Sequence, residues 1–240
     1  MMKKILGRVR NRLIENEFVS NVLITQRAAQ KMLGKKNLLR FMPKPELIGD
    51  SVLTSGDPVR MAMISLAIHR LESEGVAGSF AELGVFRGET SKFIHHFAPH
   101  RKFFLFDTFK GFDTRDDAEA NADTRFLDTS AQKVRQHIAS TMPPERLIFR
   151  EGYFPETAAG LEQERFAFVM LDVDKYAPTL AGLEFFYPRL LSGGYIFIHD
   201  FNSPESDWGV SKAVNLYMQG KPEKLVDIPD AWGSVLLRKI

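Results

Sequence analysis

"FAFVMLDVDKYAPTLAGLEFFYPRLLSGGYIFIHDFN", residues 166–202, carries the pattern that decides the fold. An apolar run opens at Phe166 and ends at Asp172 and Asp174. A helical stretch, "TLAGLEFFYPRLL" (179–191), follows. A second apolar run, "GGYIFIHD" (193–200), ends at His199 and Asp200. Apolar runs that do not alternate read as strands buried on both faces, and a helix between two of them joins parallel neighbours. Polar residues at strand ends can simply meet water. Gathered in space, these four would bring oxygen and nitrogen ligands to one point.

Outward from this unit, strand and helix keep alternating. "SFAELGV" (79–85) precedes the helix "TSKFIHHFA" (90–98). "KFFLFDTF" (102–109) is a second strand and "RLIFREG" (146–152) a third, with the helix "TSAQKVRQHIAS" (129–140) between them. A helix is expected at "GVSKAVNLYMQG" (209–220), then a closing strand pair at "EKLVDIP" (223–229) and "WGSVLLRKI" (232–240). Another helix opens the body, with Asp57 as N-cap and Pro58 at its first position. The pattern predicts an α/β, Rossmann-like fold: a mostly parallel seven-stranded sheet with helices on both faces. Such sheets bind ligands beyond the carboxyl ends of their strands, where Asp107, Asp172, Asp174, His199 and Asp200 fall. The polar, acid-rich stretch 111–128, bounded by Phe112 and Phe126, is a candidate lid or a plain loop.

The chain has 240 residues, 44% of them hydrophobic, which suits one full core with a small appendage. It has no cysteine, which excludes disulfides, thiolate metal sites and cysteine nucleophiles. No long uncharged apolar stretch or signal peptide is visible, so a cytoplasmic protein is expected. Net charge is +2, but residues 1–44 hold eleven Lys or Arg against two acids. Residues 1–50 are expected to form a basic helical appendage and linker, and 51–240 the catalytic body. The basic arm could touch a membrane surface or a second copy, so a homo-oligomer is part of the expectation. No nucleic-acid partner is expected, since no aromatics interleave with the basic residues.

"AELGVFRGET" (81–90) joins the first strand to its helix. Gly84 permits a tight turn and Gly88 a close backbone approach, with the helix amino end at Thr90 and Ser91. Val85 stands where a dinucleotide fingerprint has its middle glycine. That argues for a smaller, positively charged ligand, and Glu82 suits the ammonium of an amino acid. Asp107, with Thr108 beside it, can accept from ribose hydroxyls. Gly152 would let Tyr153 or Phe154 lie against a purine. Turn, acid and aromatic loop follow the order methionine, ribose, base, which favours S-adenosylmethionine over NAD.

Taken together, "AELGVFRGETSKFI", "FLFDTFKGFD", "FLDTSAQKV", "GYFPET", "LDVDKYAPTLAGLEFFYPRL" and "GGYIFIHDFN…GVSKAV" resemble the macrocin O-methyltransferase family, from about Val59 to about Val214. The resemblance implies a class I methyltransferase that uses S-adenosylmethionine and Mg²⁺ to methylate hydroxyls of small sugar-containing substrates. It implies Asp172 as a metal ligand that also borders the donor, Asp174 as the general base, and His199 and Asp200 as the remaining ligands. Some relatives carry two aspartates where this chain has His199–Asp200, and an imidazole suits a softer divalent cation than Mg²⁺. Two alternatives stand beside this reading: a catechol-type phenolic O-methyltransferase and a non-catalytic nucleotide-binding scaffold.

Overall fold

The computed structural model describes residues 56–116, 125–139, 145–204 and 207–240. All fall in the compact unit Ile48–Ile240. The expected appendage, residues 1–50, lies outside the described residues, as does the middle of the candidate lid, 117–124.

Helix α1 (Pro58–Ser73) begins where the sequence indicates: the Asp57 carboxylate accepts from the Arg60 N–H at 3.1 Å, and Pro58 occupies the first turn. The sheet strands are β1 (Ser79–Leu83), β2 (Phe103–Asp107), β3 (Leu147–Glu151), β4 (Phe166–Leu171), β5 (Leu190–Ile198), β6 (Val226–Ile228) and β7 (Ser234–Arg238). They lie in the order β3-β2-β1-β4-β5-β7-β6. The pairs joining β1 to β5 and β3 are parallel, and β7 runs antiparallel to both its neighbours. The mostly parallel seven-stranded sheet is therefore as expected. The remaining helices are α2 (Glu89–Phe97), α3 (Ala131–Ala139), α4 (Tyr176–Phe186) and α5 (Gly209–Tyr217).

The pleat divides each strand between two helical layers. Ala81, Leu83, Phe104, Phe106, Val169, Leu171, Ile196 and Ile198 share a cluster with Leu183 and Phe186 of α4 and Val210 and Val214 of α5. The alternate residues, such as Phe80, Phe103 and Phe168, face the other way, on the side where α1 packs on α2 and α2 on α3. All six β4 residues are buried, so that strand reads as a continuous apolar run. Rings cross the sheet in contact: Phe80 lies 5.4 Å from Phe168, and Phe168 5.4 Å from Phe197. Each fully buried Phe contributes about 1.5–3 kcal/mol of transfer free energy.

Two boundaries differ from the sequence expectation. The helix after β4 ends at Phe186 and tightens into a 3₁₀ turn, Tyr187–Arg189, because Pro188 has no N–H to continue the ladder. Strand β5 then starts at Leu190 rather than at the glycines. Phe166 pairs with Leu190 and Phe168 with Tyr195, so the extra residues bulge out, with Gly193 at φ +81°.

Register fixes what meets at the carboxyl edge. Leu83 is level with Leu171, and Leu171 with Ile198. One step further, Asp172 N–H donates to Leu83 O and His199 N–H to Leu171 O, each at 2.9 Å. Gly84, Asp172 and His199 thus form a single row just past the sheet. The chain runs from β1 outward to β3, then returns to β4 and β5 on the other side, so this row sits at the topological switch point.

Candidate functional site

The glycine turn is shaped by two close approaches. At Gly84 (φ +90°) a Cβ would lie 1.9 Å from the Asp172 carbonyl oxygen, so no side chain fits. At Gly88 (φ +82°), the N-cap of α2, a Cβ would lie 2.6 Å from Val134 Cγ1. The tightness at Gly88 therefore admits α3. Between the glycines, the Val85 and Phe86 N–H groups donate to Asp107 Oδ2 at 2.7 and 2.8 Å, and Phe109 N–H donates to Oδ1 at 2.6 Å. Three of the four lone-pair positions on this carboxylate are taken, leaving one for a ligand hydroxyl. Asp107 first of all holds the turn.

A cavity of about 390 Å³ opens above the turn. Its lining includes Gly84, Val85, Gly88 and Thr90 of the turn, Asp107 and Thr108 after β2, Gly152, Tyr153 and Phe154 after β3, and Asp172 and Asp174 after β4, with the Asp172 backbone against Gly84. Phe154 is 4% exposed and packs on Phe106 and Phe186, so its ring belongs mostly to the core. Tyr153 is less buried; Arg115 lies 3.7 Å from its ring centre and Asp116 accepts from its hydroxyl at 3.0 Å.

Glu82 and Ser91 are not in the cavity wall. Glu82 follows Ala81 on β1, so the pleat turns it to the α2 layer, where it is 1% exposed and accepts from the Ser91 hydroxyl. Burial, aided by the charge of Asp172, pushes its carboxyl up to about 8.

At the edge of β4 and β5, His199 Nδ1 lies 3.0 Å from Asp172 Oδ1 and 3.0 Å from Asp200 Oδ2. These three residues offer donor atoms within 4.8 Å of one another. His199 Nε2 lies 3.1 Å from the Ala231 carbonyl oxygen. A carbonyl only accepts, so Nε2 carries hydrogen and Nδ1 is the atom left to face a cation. Two carboxylates and an imidazole whose far edge is tied to backbone are a donor set that fits a divalent ion. The nitrogen favours an ion such as Mn²⁺ relative to Mg²⁺. Without a cation, burial disfavours charge at this pair. The mutual attraction of Asp172 and His199 wins, so the carboxyl titrates below its usual range and the ring above its own.

Asp174 and Asp200 both adopt φ +57°, left-handed backbone uncommon for non-glycine residues. Burial, then repulsion from Asp200 and Asp172, pushes the Asp174 carboxyl up to about 7. Arg125 Nη1 lies 3.5 Å from Asp174 Oδ1. The described ends of the candidate lid line the cavity: Phe126 sits between Phe86, 4.8 Å away, and Phe112, 5.4 Å away.

Sequence reasoning missed Arg60 and Arg125. Arg60 lines the cavity, its Nη1 3.3 Å from Asp172 Oδ2. Its Nε is buried without a hydrogen-bond partner among the described residues. A cation in the first turn of a helix runs against the macrodipole, and that misfit was a readable signal. Arg125 carried none, since it sits in a polar stretch where any residue is unremarked. Among the described residues, no helix is long and apolar enough to cross a membrane.

Residues 16–229 match the macrocin O-methyltransferase (TylF) family. Over 161 residues the chain is 27% identical to the 8-demethyl-8-(2,3-dimethoxy-alpha-L-rhamnosyl)-tetracenomycin-C 4'-O-methyltransferase of Streptomyces olivaceus, covering 59% of this chain and 60% of that one. Over 155 residues it is 30% identical to the mycinamicin III 3''-O-methyltransferase of Micromonospora griseorubida, with coverage of 57% and 61%. The chain spans about 60% of the length of these curated relatives. Among solved structures it is similar to the O-methyltransferase NovP, with TM-score 0.63 and 22% identity over 76% of this chain and 80% of that one. It is also similar to CalS11, calicheamicin methyltransferase, with TM-score 0.56 and 20% identity over 82% and 93%. At such identities the structural likeness establishes the fold, that of class I methyltransferases.

Proposed function

The chain belongs to the macrocin O-methyltransferase family, and on that premise we propose that it methylates a sugar hydroxyl of a glycosylated natural product, using S-adenosylmethionine and a divalent cation. One observation carries the reading. Asp172, His199 and Asp200 bring donor atoms together just past the ends of β4 and β5, and Asp172 also lines, with Asp174, the cavity over the glycine turn. By their names, the two relatives above methylate a dimethoxy-rhamnosyl tetracenomycin and mycinamicin III, and the first of these supports a sugar acceptor for this chain.

The residues divide the work by position. The turn from Gly84 to Gly88, with Thr90, receives the methionine part of the donor. Arg60, which lines the cavity, brings its positive charge to the donor carboxylate. The free lone pair of Asp107 and the neighbouring Thr108 take the ribose, and Tyr153 backs the base beside Gly152. Asp172, His199 and Asp200 hold the cation. The donor supplies an electrophilic methyl group, and the cation supplies positive charge that acidifies the acceptor hydroxyl. Asp174 takes the hydroxyl proton on its carboxylate, as carbon moves from sulfur to oxygen. Without a cation, burial and the neighbouring carboxylates push Asp174 up to about 7; a cation held by Asp172 and Asp200 would lower that value, so Asp174 serves as base toward a hydroxyl that the cation has already acidified. Phe86, Phe112 and Phe126 shield this part of the cavity from water.

The test is a mass-spectrometric screen of glycosylated acceptors with isotopically labelled donor, run with Mn²⁺, with Mg²⁺ and with chelator. Transfer of one labelled methyl that chelator abolishes is the expected outcome. Transfer untouched by chelator removes the cation from the reading. A protein that does not bind the donor in titration calorimetry ends the reading as a whole.

A further inference from the structure

We propose that Asp57, acting through Ala231, is the positioning residue that makes His199 Nδ1 a ligand for the cation. The inference rests on the cation reading above and adds the means by which this chain makes an imidazole serve there.

Five residues from four separate segments form one closed ring of bonds. Asp57 Oδ1 accepts from Arg60 N–H at 3.1 Å, and Arg60 Nη1 donates to Asp172 Oδ2 at 3.3 Å. Asp172 Oδ1 faces His199 Nδ1 at 3.0 Å. His199 Nε2 donates to Ala231 O at 3.1 Å, and Ala231 N–H donates back to Asp57 Oδ2 at 2.9 Å. Asp57 is 7% exposed and His199 is 7% exposed, so water does not compete for these bonds.

The ring matters because imidazole has two tautomers. Only the form with hydrogen on Nε2 leaves Nδ1 a lone pair for a cation. The Ala231 carbonyl selects that form, and it can do so only while the Ala231 peptide stays put. Ala231 lies in the turn between β6 and β7, and Asp57 holds this residue by its N–H, on the other side of the Cα from the carbonyl that faces His199.

The same geometry decides which edge of the ring is the site. Asp57, His199 and Asp230 also bring donor atoms within 4.8 Å of one another. On that edge Nε2 is turned to the Ala231 carbonyl, and each carboxylate oxygen already accepts a hydrogen bond. Asp57 accepts from two backbone N–H groups, and Asp230 accepts from the Ser234 N–H and hydroxyl, each at 2.5 Å. These acids face the Nε2–H edge and favour hydrogen there. The Nδ1 edge, with Asp172 and Asp200, is left for the cation.

The test is direct Mn²⁺ binding, counted by electron paramagnetic resonance of free Mn²⁺ without donor or acceptor. The proteins are wild type, D57N, D57S, H199A and D57N/H199A. Asparagine and serine both cap helices well, but neither offers acceptors to Arg60 and Ala231 together. Loss of a partner behind a ligating histidine costs about 10–100-fold in metal affinity. D57N and D57S should each weaken Mn²⁺ binding about tenfold, while H199A and D57N/H199A bind equally poorly. Unchanged affinity in D57N and D57S overturns the proposal. So does an equal further loss in the H199A background, because Asp57 would then act through the fold alone. A wild type that binds no Mn²⁺ overturns the cation reading and this inference with it, and that failure is visible before any variant is compared. Donor affinity, measured in parallel, should stay within about twofold, since Asp57 does not line the cavity.

Discussion

Replacing Glu82 with glutamine should stabilise the metal-free protein, and the gain should grow with pH. Glu82 sits between β1 and α2, 1% exposed, bonded to the Ser91 hydroxyl. Burial raises its carboxyl from 4.5 to about 8. Because the folded-state value lies above the unfolded one, its contribution is fully present below about pH 4.5. It is lost as pH climbs toward 8, since the unfolded chain ionises freely and the folded one does not. The slope is about 1.4 kcal/mol per pH unit, so wild type should lose roughly 3 kcal/mol between about pH 5 and pH 7.5 from this group. Glutamine has nearly the same shape, still accepts from Ser91 and does not titrate. Urea unfolding followed by fluorescence of Trp208 and Trp232, with chelator present, gives both stabilities across the range. The difference between E82Q and wild type should widen by roughly 3 kcal/mol over that interval. A difference flat in pH refutes the reasoning, as does one that widens in favour of wild type. The second outcome would mean that Glu82 is ionised and paired with Arg60. Donor affinity separates this role from the one suggested by sequence: E82Q should bind S-adenosylmethionine within about threefold of wild type, whereas a carboxylate clasping the donor ammonium would cost more than tenfold on loss of a charged hydrogen bond.

Asp172→Asn should abolish Mn²⁺ binding and methyl transfer, with donor affinity kept, as read by calorimetry and turnover on the same preparation. Asp174→Asn should bind Mn²⁺ within a few-fold of wild type and lose about 10²–10⁴-fold in kcat, the usual contribution of a general base. Arg60→Met should weaken donor binding about tenfold or more, on loss of a hydrogen bond between charged groups, measurable by calorimetry with and without Mn²⁺. Gly84→Ala should leave little folded protein, because the added carbon would lie 1.9 Å from the Asp172 carbonyl oxygen; circular dichroism of purified material checks this.

The sheet could be read from the sequence because β4, most of β2 and the second half of β5 are buried apolar runs. The exceptions are instructive. Two glycines at 193 and 194 look like the start of a strand, but the bulge that they permit lies inside β5. Glu82 looks like a ligand from its place beside a glycine turn. Its neighbour Leu83 faces the α4 layer, so Glu82 must face α2, and the alternation alone could have placed it there. Asp107 was legible as an acid at a strand end, but the three N–H groups that reach it depend on a turn conformation that no spacing shows. The glycine turn itself was legible since its parts lie within a few residues of one another.

The proposed cation end was legible as chemistry and hidden as structure. The residues proposed to hold the cation stand at two strand ends, but what holds them comes from far along the chain. Arg60 is 112 positions from Asp172, and Asp57 is 174 positions from Ala231. No window of sequence contains such a pair. The need for the pair follows from the imidazole at position 199. A carboxylate at position 199 could turn either oxygen to a cation, and would require no particular neighbour to choose between them. An imidazole has one lone pair at a time, and the partner of its other nitrogen decides where. With histidine at 199, a fixed acceptor at Ala231 would strengthen cation binding at Nδ1, and Asp57 is the group proposed to fix it.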